Sequence, residues 1–291
     1  MSRCFKLHAG VRQGGVLSPV LFAVYVDSML EALAESKLSC RVSGFVCSYF
    51  MYADDIILVT ASLTDLQKLV NLCVNELSVV GLSVQAEKSA FICLGRPKRY
   101  RNLSVKININ GILLDSVAEL RCLGVHFTAG HKLKFQFDCC KAKFYNAINA
   151  ILAYVGNKAD VVLPLCNAQC VPILLYCVEA MSLTKTEKLK LSHSYFRLFG
   201  KLFNTLNNST VNQCQWYTGC MPLEFLIDLR LIKFCNKLSN SNNYLIKSIY
   251  SIKGKDVLKE LENKYEISHN SRVSWRTAIW RQFELSIDFH G

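Results

Sequence analysis

Two adjacent aspartates, Asp54 and Asp55, interrupt an apolar stretch, with Tyr49-Phe50-Met51-Tyr52-Ala53 before them and Ile56-Ile57-Leu58-Val59 after. Neighbouring like charges repel, and each carboxylate then favours its neutral form. A divalent cation removes that conflict, and Mg²⁺ prefers carboxylate oxygens together with substrate phosphates. Two such ions can clamp the attacking and leaving oxygens of a phosphoryl transfer. Taken alone, the same tetrapeptide is also an ordinary turn, for which aspartate is well suited. The β-branched and aromatic flanks predict a hairpin with both carboxylates at its turn.

Upstream, Arg12-Gln13-Gly14-Gly15 bends the chain, and Ser18-Pro19 predicts the start of a helix running to about residue 36. Downstream, Thr64 is the expected cap of a helix whose apolar residues Leu66, Leu69, Val70, Cys73, Val74, Leu77 and Val80 recur every three or four positions until Gly81. A strand is expected over 89–94, then a basic loop over 95–101. Strands near 105–109 and 120–127 follow, with an Asn110-Gly111 turn after the first. From Lys134 the texture is helical. Phe144, Ala147, Ile148, Ile151, Leu152 and Val155 form one stripe, and helices are expected over 165–181, 186–204, 222–239, 256–264 and 275–285. The asparagine-rich stretches 204–213 and 236–243 read as loops. This order predicts an α+β fold: an antiparallel sheet with helices over 1–130, then a helical region over 131–291.

The chain has 291 residues, 51% of them hydrophobic and 19% charged, which supports folded cores and excludes disorder as its general state. Its 34 Lys and Arg against 22 Asp and Glu leave a net charge of +12, suited to an acidic polymer such as nucleic acid. The 14 cysteines are scattered through apolar runs without paired CxxC spacing, so they read as small buried hydrophobes in a reducing compartment rather than zinc ligands. Val161–Met181 is apolar, but Pro164, Asn167, Gln169, Pro172 and Glu179 argue for a buried helix over a membrane span. Trp275, Ile279, Trp280 and Phe283 fit one helical face, although Arg272, Arg276 and Arg281 interleave with them as on base-stacking surfaces.

Four motifs in order carry a resemblance. Arg12-Gln13-Gly14-Gly15-Val16-Leu17-Ser18-Pro19 resembles the nucleotide-contacting motif of reverse transcriptases, and Tyr52-Ala53-Asp54-Asp55 resembles their metal-binding hairpin. Gly81-Leu82 through Lys88-Ser89 is similar to the next motif, and Leu123-Gly124-Val125 to the primer-gripping turn. Gln169-Cys170-Val171-Pro172-Ile173-Leu174-Leu175-Tyr176-Cys177-Val178-Glu179 is similar to the region after the palm in LINE-type (non-LTR) elements, with Cys177-Val178 where that family usually has glycine and cysteine.

The resemblance implies a polymerase palm followed by a helical thumb and C-terminal region. It implies Mg²⁺ as cofactor, with Asp54 and Asp55 as metal ligands. Arg12, Gln13, Gly14 and Tyr52 would lie at the nucleotide and template, Lys88 near the pyrophosphate, and Leu123 and Gly124 at the primer. The implied partners are an RNA or DNA template with its primer and deoxynucleoside triphosphates, with no membrane. The reducing compartment read from the cysteines is intracellular, with nucleus and cytoplasm both left open.

The family mechanism also uses an aspartate on a strand upstream of the Arg-Gln-Gly motif. Residues 1–11 contain no acidic residue, and Asp27 falls on the helix after the motif. The chain is therefore expected to be an N-terminally truncated RNA-directed DNA polymerase that shows no primer extension alone. The alternative is a non-catalytic remnant that binds nucleic acid through charge.

Overall fold

The computed structural model describes residues 14–36, 38, 40–42, 44–95, 105–267 and 273–287. Arg12, Gln13, Arg272 and nearly all of the basic loop 95–101 lie outside these residues. The chain divides into two compact units, residues 1–121 with 127–134, and residues 122–126 with 135–291. The fold is α+β, with small antiparallel sheets among many helices.

The first unit opens with α1 (Ser18–Tyr25) and α2 (Asp27–Glu35), where the sequence predicts one continuous helix. The break is at Val26, whose ψ of 3° lies outside helical geometry. Leu17 rather than Ser18 takes the N-cap, with Pro19 still in the first turn, where its missing N–H costs nothing. Val26, Met29 and Leu33 are buried, whereas α1 buries none of its residues.

After the short hairpin β1 (Arg41–Val42) and β2 (Phe45–Val46) come β3 (Tyr49–Tyr52) and β4 (Asp55–Leu58). Helix α3 (Leu63–Val79) matches its predicted apolar stripe, but Ser62 is the cap: its hydroxyl accepts the Asp65 amide at 3.1 Å. Gly81 ends the helix at φ +74°, and the Leu82 amide returns to the Leu77 carbonyl at 2.8 Å, a left-handed C-terminal cap. Leu69, Cys73 and Leu77 pack with Val26, Met29 and Leu33, while Val70 faces Phe91, Ile107 and Ile109.

Residues 91–94 do not form the strand expected over 89–94. Isolated backbone bonds, such as Val117 N–H to the Phe91 carbonyl at 2.9 Å, hold them without a continuous ladder. Strands β5 (Lys106–Ile109) and β6 (Ile112–Asp115) pair around the predicted Asn110-Gly111 turn, with both turn residues at positive φ. Gln67 covers β5, donating to the Asn108 carbonyl at 2.8 Å and accepting its amide at 2.6 Å. The stretch predicted as one strand over 120–127 is instead β7 (Glu119–Cys122) and β8 (Val125–Thr128), turned at Leu123-Gly124. With β9 (Lys134–Phe135) they form a sheet of order β7-β8-β9.

The second unit is helical. Its larger core joins Phe144 and Ile148 of α4 (Asp138–Val155), Leu191, Tyr195, Leu198 and Phe199 of α7 (Lys185–Leu202), and Val211 of α8 (Asn208–Tyr217). A second core packs α9 (Leu223–Ser239), α11 (Lys255–Lys264) and α12 (Trp275–Leu285). Here Ile279 and Phe283 are buried with Trp275 and Trp280 against them, so the aromatic face of α12 packs inward. Helix α8 corrects the loop reading of 204–213: the Asn207 side chain accepts the Ser209 amide at 2.8 Å as its N-cap. Asn243 caps α10 (Tyr244–Ile249) in the same way, so asparagine marks helix starts here.

The helix expected over 165–181 is broken. Pro164 lies inside α5 (Ala159–Leu165), a π-helical turn spans Cys166–Cys170, and Pro172 falls in the first turn of α6 (Val171–Leu174). The wide turn relieves the clash and lost donor that proline brings to a helix interior. By length and composition Ala159–Ala180 could cross a membrane, yet Val162, Cys166, Cys170, Val171 and Leu174 are inside the core.

Cys177 then adopts a left-handed conformation at φ +57° and ψ +9°. Such a position costs a non-glycine residue about 1–2 kcal/mol, while glycine loses about 0.4–1 kcal/mol through the unfolded state. Cys177→Gly is therefore expected to stabilise the helical unit by about 0.5–1 kcal/mol, checked by the urea midpoint of tryptophan fluorescence.

All cysteines among the described residues are free. Burial pushes the Cys73 thiol up to about 11 and the Cys166 thiol up to about 12, so both stay protonated at neutral pH. Neighbouring Cys170 reinforces the shift at Cys166.

Candidate nucleotidyl-transfer site

The hairpin β3–β4 pairs Tyr49 with Leu58, Phe50 with Ile57, Met51 with Ile56 and Tyr52 with Asp55. Side chains alternate across a strand, so this register decides which face carries each residue. Tyr49, Met51, Ile56 and Leu58 pack on the core of α2 and α3, and the opposite face carries Phe50, Tyr52, Ile57 and Asp55. Tyr52 is 67% exposed and stands directly across from Asp55.

The two-residue turn is Ala53-Asp54, with Ala53 at φ +52°. Only its first central residue has positive φ, a backbone position that glycine adopts more readily than alanine. The turn therefore holds alanine in a left-handed conformation next to the carboxylates. Backbone strain of this kind costs on the order of 1–3 kcal/mol and persists only where its surroundings enforce it.

Asp54 and Asp55 are both exposed, and among the described residues neither forms an ion pair. No set of three or more His, Cys, Asp or Glu side chains converges as a metal site among those residues. Of the acidic residues, only Asp288 lies outside them. The two adjacent carboxylates suit one side of a hard cation, whose other positions would fall to water and phosphate oxygens. They do not by themselves complete a two-metal clamp.

Lys88 ends a 3-10 turn, Ala86–Lys88, and is exposed, with no ion pair to either aspartate. Ala86 beneath it is buried against Val70 and Phe91, so the turn is anchored through its first residue. Gly14 has φ +79° with open space around its α-carbon, which fits a bend that only glycine adopts without strain. Arg12 and Gln13 fall outside the described residues.

Leu123 and Gly124 both have positive φ, +46° and +81°, as a type I′ hairpin turn requires. They lie in the second unit, apart in sequence and in unit from the aspartate hairpin. The structure adds residues that sequence patterns do not reveal. The Tyr176 hydroxyl donates to the Leu123 carbonyl at 2.8 Å. Arg230 donates to the Leu175 carbonyl at 2.8 Å and lies 3.5 Å from the Glu179 carboxylate. These links span more than fifty positions, a separation at which periodicity carries no signal.

Comparison with known proteins adds an independent finding. Residues 3–127 match the sequence model of the family described as reverse transcriptase (RNA-dependent DNA polymerase). A stretch of 131 residues is 30% identical to the Retrovirus-related Pol polyprotein from the type-2 retrotransposable element R2DM of Drosophila melanogaster. That stretch is 43% of this chain and 12% of the polyprotein, so the chain matches only a small part of its relative.

Proposed function

We propose, from the non-LTR reverse transcriptase character of residues 3–127, that this chain supplies the carboxylate hairpin and primer-side turn of an RNA-directed DNA polymerase. The observation that carries the reading is the hairpin itself. Its register sets Asp55 beside Tyr52 on an open face, and a strained Ala53-Asp54 turn presents the second carboxylate. Mg²⁺ held there would neutralise charge on phosphate oxygens and lower the barrier to displacement of pyrophosphate. Asp54 and Asp55 are the residues that would hold it. Tyr52 supplies an apolar platform across from Asp55, suited to contact a sugar or base. Lys88 supplies a mobile cation for the triphosphate.

A complete two-metal site needs a further carboxylate beside Asp54 and Asp55. The template is RNA or DNA with an annealed primer, and the substrates are deoxynucleoside triphosphates. The excess of basic residues favours the phosphate backbone of that duplex.

Mn²⁺ titrated into the protein and followed by its free-ion paramagnetic signal tests the hairpin. Two exposed carboxylates should bind it weakly, with a dissociation constant of about 10⁻⁴ to 10⁻³ M. Asp54→Asn with Asp55→Asn should weaken that binding at least about tenfold. Equal binding by the wild type and the double variant would contradict the assignment.

A further inference from the structure

The Leu123-Gly124 turn is built into the helical unit by one aromatic side chain. Tyr176 follows α6 in sequence, and its hydroxyl donates to the Leu123 carbonyl at 2.8 Å. The same ring covers Gly124: a Cβ added there would sit 3.3 Å from Cε1, 3.6 Å from the hydroxyl oxygen and 3.7 Å from Cζ. Residues 122–126 accordingly cluster with 135–291 rather than with the strand residues before them. The turn therefore combines positive φ at a bulky leucine, a glycine whose added Cβ would crowd the tyrosine ring, and a tyrosine that touches both residues.

Leucine at φ +46° is unfavourable by itself, because its side chain crowds the backbone. A hydrogen bond to its own carbonyl and a ring against the next residue both favour that conformation. Helix α6 ends at Leu174, and Cys177, immediately after Tyr176, is left-handed at the start of a 3-10 turn over Val178–Ala180. Arg230 of α9 donates to the Leu175 carbonyl at 2.8 Å and secures the residue just before Tyr176.

We propose that Tyr176 is a positioning residue for the Leu123-Gly124 turn, and that it makes the placement of a primer end a property of the helical unit. The inference rests on the primer-side reading of that turn. It adds that the turn is held from α6 and α9, through Tyr176, and not by its own hairpin alone.

The test uses the whole chain, with Tyr176→Phe to remove the hydroxyl and Tyr176→Ala to remove the ring as well. In the free protein, hydrogen exchange at the Gly124 and Val125 amides should accelerate about fivefold in Tyr176→Phe, the equivalent of one ordinary hydrogen bond, and further in Tyr176→Ala. Exchange in α7 should be unchanged. Binding is then compared for a recessed-primer DNA junction and a blunt duplex of equal length. The junction-to-duplex affinity ratio should fall by about the same factor in Tyr176→Phe, with duplex affinity retained.

Unchanged exchange at Gly124 and Val125 would overturn the tie between Tyr176 and the turn. Faster exchange with an unaltered junction ratio would overturn the positioning role. A wild-type chain with no junction preference would instead remove the primer-side reading on which the inference rests, whatever the exchange data show.

Discussion

Phe199→Ala should destabilise the helical unit by about 3–5 kcal/mol, the usual cost of emptying a fully buried aromatic site. Phe199 has no solvent exposure and lies at the centre of the larger core. Its ring meets Tyr195 edge-on at 5.2 Å between centroids and stacks with Phe203 at 6.3 Å. Alanine removes the transfer free energy of the ring, its dispersion contacts on both sides and these two aromatic pairings. Domain stabilities are only about 5–15 kcal/mol, so the loss approaches half of what holds the unit together. The three tryptophans, Trp216, Trp275 and Trp280, all lie in this unit, so urea unfolding followed by their fluorescence reads it selectively. A shift below about 1 kcal/mol would mean that the core around Phe199 is not packed as described.

Asp228→Val should cost about 2–3 kcal/mol for a different reason. Asp228 is 3% exposed on α9, and one of its carboxylate oxygens accepts from the Tyr265 hydroxyl at 2.6 Å and from the Lys264 ammonium at 2.7 Å. Lys264 is about half exposed at 48%, so it recovers water when the carboxylate is removed. Tyr265 is 5% exposed, and its hydroxyl would be left buried without a partner. Tyr265→Phe in the same chain should therefore recover part of the loss, which a double-mutant cycle measures.

This cluster also sets a pH dependence. Burial, and then the Asp228 carboxylate, raise the Tyr265 phenol above its ordinary value of 10.0. Burial and the Cys220 and Cys166 thiols raise Tyr195 in the same sense. The folded state keeps protons that the unfolded chain releases above that value. The stability they represent is complete below pH 10 and falls as pH rises, by about 1.4 kcal/mol per pH unit for each tyrosine. Tyr265→Phe should make the alkaline limb of the urea midpoint shallower, and an unchanged limb would contradict the assigned burial.

The aspartate hairpin was legible because strand composition and a two-residue turn are local properties. The β-branched and aromatic flanks mark the two strands and Asn110-Gly111 marks a turn, but both faces of the first hairpin are apolar, so only the structure selects Tyr49, Met51, Ile56 and Leu58 as its buried side. Helix α3 was legible through its stripe, but its cap was not. Ser62 and Thr64 are both capping residues, and only the backbone conformation at Ser62 selects between them.

The break at Val26 had no local marker, since the apolar spacing runs through it, and tertiary burial of Met29 and Leu33 decides it. Asn207 and Asn243 show the converse ambiguity: asparagine favours loops and helix starts for the same reason, an acceptor that competes for nearby amides. Among the candidate functional residues, Asp54, Asp55, Leu123 and Gly124 could be named from motifs. Tyr176's hold on the turn could not, because it joins residues 53 positions apart.

Primer-junction binding tests the functional reading most directly. A labelled recessed-primer duplex and a blunt duplex of equal length are titrated with the protein over a range of salt, with Mg²⁺ and a deoxynucleoside triphosphate present. A polymerase segment should prefer the junction, with the preference surviving added salt and shrinking in Asp54→Asn with Asp55→Asn. Equal affinity for both duplexes, falling with salt along the same steep line, would show that charge alone binds the nucleic acid and would contradict the assignment of the carboxylate hairpin.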